Sequence, residues 1–321
     1  NLRRKDFLVL AETIGIPPKS AEKMIDKIIK LKDRYVQLCK ASYLPDDMKA
    51  GVTTFEGVAE RVFDFNKKLI DTLYDIIPSV KVQIAYYEMY GVAGMKAYEE
   101  TLKYAAEKDL VVIADAKRND IGSTASCYAK TFLGETAVNE NSFKAFPSDY
   151  VTVNGYLGTD GIAPFVEECQ KNDKGIFVLV KTSNPSGAEI QNMVLENGVP
   201  MYEYMGGLVE KWGESTIGKY GYSAVGAVVG ATHPTEAARL REVLPHTFFL
   251  IPGYGAQGGG AEDAKNAFDN NGLGAIINSS RGIMCAWKKQ GLTEEDFAEA
   301  ARNEAIRMKN DIISTIGTIS L

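Results

Sequence analysis

The residues with most to say about chemistry sit together in Val111-Val112-Ile113-Ala114-Asp115-Ala116-Lys117-Arg118-Asn119-Asp120-Ile121-Gly122. Apolar residues run straight into a D-x-K-x-x-D pattern. Along a strand the side-chain period is two, so Asp115 and Lys117 share a face. They stand at the strand's C-terminal end, where barrel enzymes build their sites. Buried carboxylates and ammonium groups are costly unless paired. A charge cluster directly after Val-Val-Ile therefore reads as a site rather than as a solvated strand end. Asp120 falls in the following loop, placed to reach elsewhere, a neighbouring subunit included. Lys81 opens the preceding apolar run and, on strand boundaries alone, lies away from its C-terminal end.

Two later segments have the chemistry of phosphate binding. The run Phe248–Pro252 enters Gly253-Tyr254-Gly255-Ala256-Gln257-Gly258-Gly259-Gly260, followed by helical sequence from Ala261. Glycines let backbone N–H groups close around an anion, and a helix N-terminus adds its dipole. Then Ala275-Ile276-Ile277-Asn278-Ser279-Ser280-Arg281-Gly282 delivers an arginine after the last strand. Its planar fork suits phosphate oxygens. A third segment, Val178-Leu179-Val180-Lys181-Thr182-Ser183-Asn184-Pro185, empties a buried strand into hydroxyl and amide groups. These can bond a polar heterocycle, or equally form an ordinary turn ahead of proline.

Composition narrows the classes. The 321 residues are 45% hydrophobic and 24% charged, which excludes disordered and low-complexity chains. A net charge of −6 argues against nucleic acid or an anionic membrane as partner. No apolar run approaches the ~20 residues of a membrane span. No signal-peptide pattern stands at Asn1-Leu2-Arg3-Arg4-Lys5, and without an initiator methionine the chain reads as a trimmed or joined one. Cys39, Cys127, Cys169 and Cys285 are far apart, as expected of reduced thiols in a cytoplasmic protein. The only histidines are His233 and His246, too few for zinc clusters. Catalysis, if present, falls to Lys, Asp and Arg.

The elements that must position these groups alternate. Strand-like runs lie at Lys81–Tyr87, Leu110–Ala114, Tyr150–Val153, Gly175–Val180, Ala224–Gly230, Thr247–Ile251 and Ala275–Ile277. Helical periodicity marks Phe63–Ile77, Met95–Lys108, Gly161–Lys171, Met201–Trp212, Thr235–Val243, Ala261–Asn270 and Thr293–Ile312. Such alternation predicts βαβ units and a parallel sheet. The size suits a (β/α)8 barrel that is one strand short. An open doubly wound sheet is the alternative, but no Gly-rich fingerprint follows the first strand. Upstream, residues 4–32 read as two helices broken at Ile16-Pro17-Pro18, with a start near Ser20. Tyr35–Cys39 is the one upstream strand candidate and reads as the end of the preceding helix. The expected division is a helical segment over 1–50 and a barrel over 51–321.

Residues 51–316 resemble the orotidine 5′-phosphate decarboxylases, in the longer subgroup of many bacteria and malaria parasites. The resemblance rests on K-x-Q-x-A-x-Y-E at Lys81–Glu88, A-D-x-K-x-x-D-I at Ala114–Ile121, V-K-T-S-N-P at Val180–Pro185, P-G-x-G-A-Q-G-G at Pro252–Gly259 and N-S-S-R-G-I at Asn278–Ile283. It implies a homodimeric barrel, without metal or cofactor, that converts orotidine 5′-monophosphate to UMP in pyrimidine synthesis. It implies a catalytic array of Lys81, Asp115 and Lys117, with Asp120 from the partner subunit and Thr124 also crossing the interface. Gln83, Thr182 and Ser183 would contact the substrate and Pro252 would line its pocket. Gln257 and Arg281 would hold the phosphate, beside Gly255, Gly258 and Gly282.

The front of the chain departs from that pattern. No G-L-D-type motif, whose Asp binds the ribose in the family, precedes residue 51, and Asp46 and Asp47 follow no apolar run. Residues 1–50 instead resemble the C-terminal helical end of HipA-type kinases. The expectation is a helical segment outside the barrel and a gap or makeshift strand at the first position. Two other readings stay open: a metal-dependent sugar-phosphate aldolase or decarboxylase sharing D-x-K-x-x-D, and a nucleotide-binding barrel inactivated at its front.

Overall fold

The computed structural model describes residues 8–9, 13, 16–26, 44–49, 51–255, 258–317 and 319. Helix α1 (Phe55–Leu73) leads to strand β1 (Ser79–Gln83), α2 (Gly91–Glu107), β2 (Val111–Arg118) and α3 (Gly122–Leu133). A hairpin of β3 (Thr136–Val138) and β4 (Asn141–Phe143) precedes β5 (Tyr150–Val153), α4 (Thr159–Asn172), β6 (Gly175–Lys181) and α5 (Met201–Gly213). Then come β7 (Val225–Val229), α6 (Pro234–Val243), β8 (Phe249–Pro252), α7 (Ala261–Lys265), β9 (Ala275–Asn278) and α8 (Phe297–Ile316). Seven strands form one parallel sheet in the order β1-β2-β5-β6-β7-β8-β9. The fold is the expected (β/α) barrel.

The period of two sorts each strand into two faces. Val112, Ala114, Val151, Ile176, Val178, Val225, Ala227, Phe249 and Ile251 face the helices in the main core, with Leu102, Phe165 and Leu240. The intervening positions Ile113, Phe177, Val228 and Leu250 form a separate cluster with Tyr150, Leu179, Phe248 and Ile276. This plug fills the lower barrel, and Tyr150 stacks on Phe177 at 4.9 Å. The same parity carries Lys81, Gln83, Asp115, Lys117, Thr152, Lys181, Pro252 and Asn278 upward to the C-terminal mouth.

Several expected boundaries shift. The strand expected over Lys81–Tyr87 spans Ser79–Gln83, and Ala85–Glu88 is a helical turn. Lys81 therefore sits mid-strand, two residues from the C-terminal end. The first helix spans Phe55–Leu73 rather than Phe63–Ile77, because Thr54 caps it by accepting from Gly57 N at 3.1 Å. Helix α7 stops at Lys265, short of Asn270. Helix α3 and the β3–β4 hairpin lie outside the expected elements. The buried face of α3 is built of Ala125, Ala129, Phe132 and Leu133, whose small alanines give little hydrophobic periodicity. The upstream helix begins at Pro18 rather than Ser20, with proline in its favoured first position.

Among the described residues no strand pairs with the outer edge of β1 or of β9. A cavity of about 750 Å³ opens between them, lined by Val80, Val82, Ile277, Ile283 and Leu44. Leu44 is buried against Phe65, Leu69 and Phe297, and Asp46 N donates to Glu294 Oε2 at 2.6 Å. Residues 44–46 thus pack on the barrel. The strand candidate Tyr35–Cys39 lies outside the described residues.

Candidate active site

Asp115 is the hub of the barrel mouth. The pairing of β1 with β2 sets Gln83 beside Asp115 in register. Lys81 Nζ donates to Asp115 Oδ2 at 2.5 Å, and Gln83 Nε2 donates to the same oxygen at 3.1 Å. On the other oxygen, Oδ1, converge Lys117 Nζ and the Thr152 hydroxyl, the latter at 2.9 Å. The Asp115 residue is 5% exposed. Burial alone pushes its carboxyl up, but the charges of Lys81 and Lys117 and their hydrogen bonds outweigh that, so the net shift is downward. The carboxylate stays ionised at neutral pH. The two lysines differ in access: the Lys81 side chain is 11% exposed and that of Lys117 43%. Lys117 is thus the cation open to the space above the mouth.

The groups around this hub come from the loops after successive strands. After β6, Thr182 is fixed by Gln191, which accepts from Thr182 N at 3.0 Å and donates to its Oγ1 at 2.8 Å. Thr182 Oγ1 in turn donates to Asn184 Oδ1 at 2.7 Å. Ser183 lies against Gly230 so closely that a Cβ there would meet Ser183 Cα at 2.8 Å. Lys181, 1% exposed, donates to Asn192 and stands 3.8 Å from Glu236. Pro252 ends β8. Beyond it Gly253, Gly255 and Gly258 hold φ of 104°, 77° and 95°, a backbone that side chains disfavour. Gly255 N donates to Gly259 O at 2.7 Å, closing the loop. Ser279 Oγ bonds Tyr254 O at 3.2 Å and so ties this loop to the segment after β9. There Arg281 is exposed and Gly282 buried.

The structure therefore gathers Lys81, Gln83, Asp115 and Lys117 into one network, and places Thr182, Ser183, Gly255 and Gly258 on loops, Pro252 at the end of β8, and Arg281 and Gly282 in the helical turn Arg281–Met284, all at the same end. Gln257 lies outside the described residues. The expected helix dipole beneath the glycine loop is reduced to the five residues of α7, whose leading Gly260 N already donates to Asp263 Oδ2 at 2.8 Å. Among the described residues Asp120 does not join the network. Its carboxylate accepts from Ile121 N at 2.7 Å, and Thr124 is exposed one turn on. Sequence reasoning missed Thr152, Gln191 and Asn192. Thr152 is the one with a sequence signal, since the strand matches the expected Tyr150–Val153 and Thr152 shares the face of Tyr150.

The family model described as "Orotidine 5'-phosphate decarboxylase / HUMPS family" matches residues 61–292. The orotidine 5′-phosphate decarboxylase of Clostridium tetani is 42% identical over 301 residues, covering 92% of this chain and 99% of that protein. That of Caldicellulosiruptor bescii is 44% identical over 255 residues, covering 79% and 83%. The solved OMP decarboxylase of Leishmania donovani superposes with a TM-score of 0.64 at 27% identity, covering 87% of this chain and 96% of that one. These relatives leave the aldolase reading and the HipA-type resemblance without support. A match over 92% of the chain must indeed take in part of residues 1–50. With the family model covering most of the chain and a relative matched almost end to end, the chain belongs to the orotidine 5′-phosphate decarboxylase / HUMPS family.

Proposed function

We propose that the chain converts orotidine 5′-monophosphate to UMP and CO2, the closing step of pyrimidine nucleotide synthesis. The observation that carries this reading is the Lys81–Asp115–Lys117 array. One carboxylate is held ionised between two ammonium groups, and one of those stays open to the barrel mouth. Decarboxylation breaks the bond between C6 of the pyrimidine and its carboxyl carbon, leaving the electron pair on C6. Lys117 faces that carbon, stabilises the charge as it develops and delivers a proton to C6, and solvent restores the ammonium. Asp115 faces the departing carboxylate, and their repulsion is relieved as CO2 leaves. Lys81 holds Asp115 in place.

In this reading Gln83, Thr182 and Ser183 bond the nucleoside, and Pro252 packs against it. Gln257, Arg281 and the backbone at Gly255, Gly258 and Gly282 take the phosphate. The phosphate is remote from the breaking bond, so its binding energy serves to hold a closed, water-poor site. We further infer a homodimer in which each subunit lends Asp120 and Thr124 to the other. Supporting it are the position of Asp120 outside its own network and the exposed Tyr86, Met89, Ile121, Tyr156 and Leu157 on the segments after the neighbouring strands β1, β2 and β5. A cytoplasmic location fits the unpaired Cys127, Cys169 and Cys285. Among the described residues no helix is long and apolar enough to cross a membrane.

The test is an ultraviolet assay of orotidine 5′-monophosphate consumption by the purified chain, with and without EDTA. Turnover indifferent to the chelator is expected. Binding of UMP without any release of CO2 would defeat the proposal and point to a ligand-binding barrel.

A further inference from the structure

Thr152 lies in the middle of β5 and is 1% exposed. Its hydroxyl stands between the two groups assigned to the chemistry. It donates to Asp115 Oδ1 at 2.9 Å and accepts from the backbone N–H of Lys117 at 3.0 Å. The strand register explains the second bond. Ala114 pairs with Val151 and Arg118 with Val153, so three residues of β2 stand opposite Thr152 alone. This is a bulge, a device that re-aims side chains beside active sites. Within it Lys117 takes a φ of 49°, left-handed backbone that a non-glycine residue keeps only when its surroundings over-determine it. The Thr152 hydroxyl, rather than a strand carbonyl, receives the Lys117 amide there.

We propose that Thr152 is a positioning residue for the reaction: its one hydroxyl orients the Asp115 carboxylate and pins the Lys117 backbone in the turn that carries its ammonium over that carboxylate. The assignment rests on the decarboxylase reading of Asp115 and Lys117. Asp115 Oδ2 is held from β1 by Lys81 and Gln83, and Thr152 is the group that holds Oδ1 from β5. The carboxylate is thus clamped from both neighbouring strands. Without the hydroxyl, Oδ1 has only the half-exposed Lys117 ammonium, and the part-buried Lys117 amide N–H loses its acceptor.

Three variants isolate the hydroxyl. Thr152→Val keeps the shape and removes the oxygen. Thr152→Ser and Thr152→Ala both lack the methyl and differ from each other only in that oxygen. Val and Ala should lower kcat on the order of 10- to 100-fold, the usual consequence of a slightly misplaced catalytic group. KM and UMP affinity should stay within about threefold, since the lost interactions act on the reacting charges rather than on substrate binding. Thr152→Ser should keep kcat close to that of the parental chain. A merely structural role would instead lower the melting temperature without separating kcat from KM. If the Val variant does not fold, the Ser and Ala pair decides. An Ala variant as fast as the parental chain, or a Ser variant as slow as Ala, overturns the assignment. A parental chain without turnover would remove the decarboxylase reading beneath it, a different failure read from a different sample.

Discussion

Asp115 and Lys117 are two residues apart and do opposite things. Asp115 is sealed among four donors, whereas Lys117 keeps nearly half of its side chain in the open. An exposed ammonium adds little to ground-state binding, because solvent screens it. Its effect is reserved for charge that appears during reaction. Lys117→Ala should therefore lower kcat by at least about 10³-fold, in line with the loss of a group aimed at developing charge. UMP affinity should change far less, and a variant with near-parental turnover would remove Lys117 from the mechanism. Asp115 carries a second consequence. Its folded pKa is depressed, so its ionised form contributes stability that is present above the ordinary carboxylate value. That contribution is lost as the pH falls through the folded value. Thermal melts of the parental chain should therefore drop as the pH falls below the ordinary carboxylate value, and Asp115→Asn should melt with a shallower slope over that acid range. Parallel slopes for the two proteins would show that Asp115 titrates alike folded and unfolded.

At the level of elements, two glycines have opposite duties. Gly230 follows β7 and presses on the backbone of Ser183, with 2.8 Å between a built Cβ and either Ser183 N or Cα. Backbone cannot step aside, so Gly230→Ala should cost about 1–3 kcal/mol and raise the KM for orotidine 5′-monophosphate by displacing the Thr182–Ser183 segment. Gly207 lies inside α5 with open space where a Cβ would be. Gly207→Ala should stabilise by about 0.5–1 kcal/mol through helix propensity alone. Melting curves of both variants check the pair, and equal shifts would defeat the packing argument. The same contrast explains what was legible in the sequence. Strands such as Tyr150–Val153 could be read directly because buried parallel strands are short, β-branched and bounded by polar residues. The motifs at Asp115 and Arg281 were legible because chemistry at a barrel mouth depends on residue type next to a strand. The end of β1 was not, since Ile84-Ala85-Tyr86-Tyr87 suits a strand or a helix equally and the β1–β2 pairing ends at Gln83. Nor was the bulge at Lys117, because no local residue marks it. It arises from the register between β2 and β5.

For the molecule as a whole, the arrangement of Asp120 bears on assembly. It belongs to the D-x-K-x-x-D pattern, yet its carboxylate turns back onto Ile121 N while Asp115 and Lys117 bond each other. The segments after β1, β2 and β5, which are neighbours in the sheet, leave Tyr86, Met89, Ile121, Tyr156 and Leu157 exposed at the end of the barrel that bears the site. Scattered apolar residues need no explanation, but large ones gathered on adjoining loops mark an interaction surface. A two-fold dimer through this surface would bring the same loops of two copies together and carry each Asp120 toward the other copy's Lys117. Complementation tests this directly. Asp120→Ala and Lys117→Ala should each be inactive alone. In a heterodimer, one site takes Lys117 from the first subunit and Asp120 from the second and carries neither lesion, while the other site carries both. Random exchange in an equal mixture makes half of the dimers heterodimers, so activity should return to about a quarter of the parental value. Recovery should follow the time course of subunit exchange, measured by mixing differently labelled copies. Full exchange without recovered turnover would place Asp120 in its own subunit's chemistry or outside the site altogether.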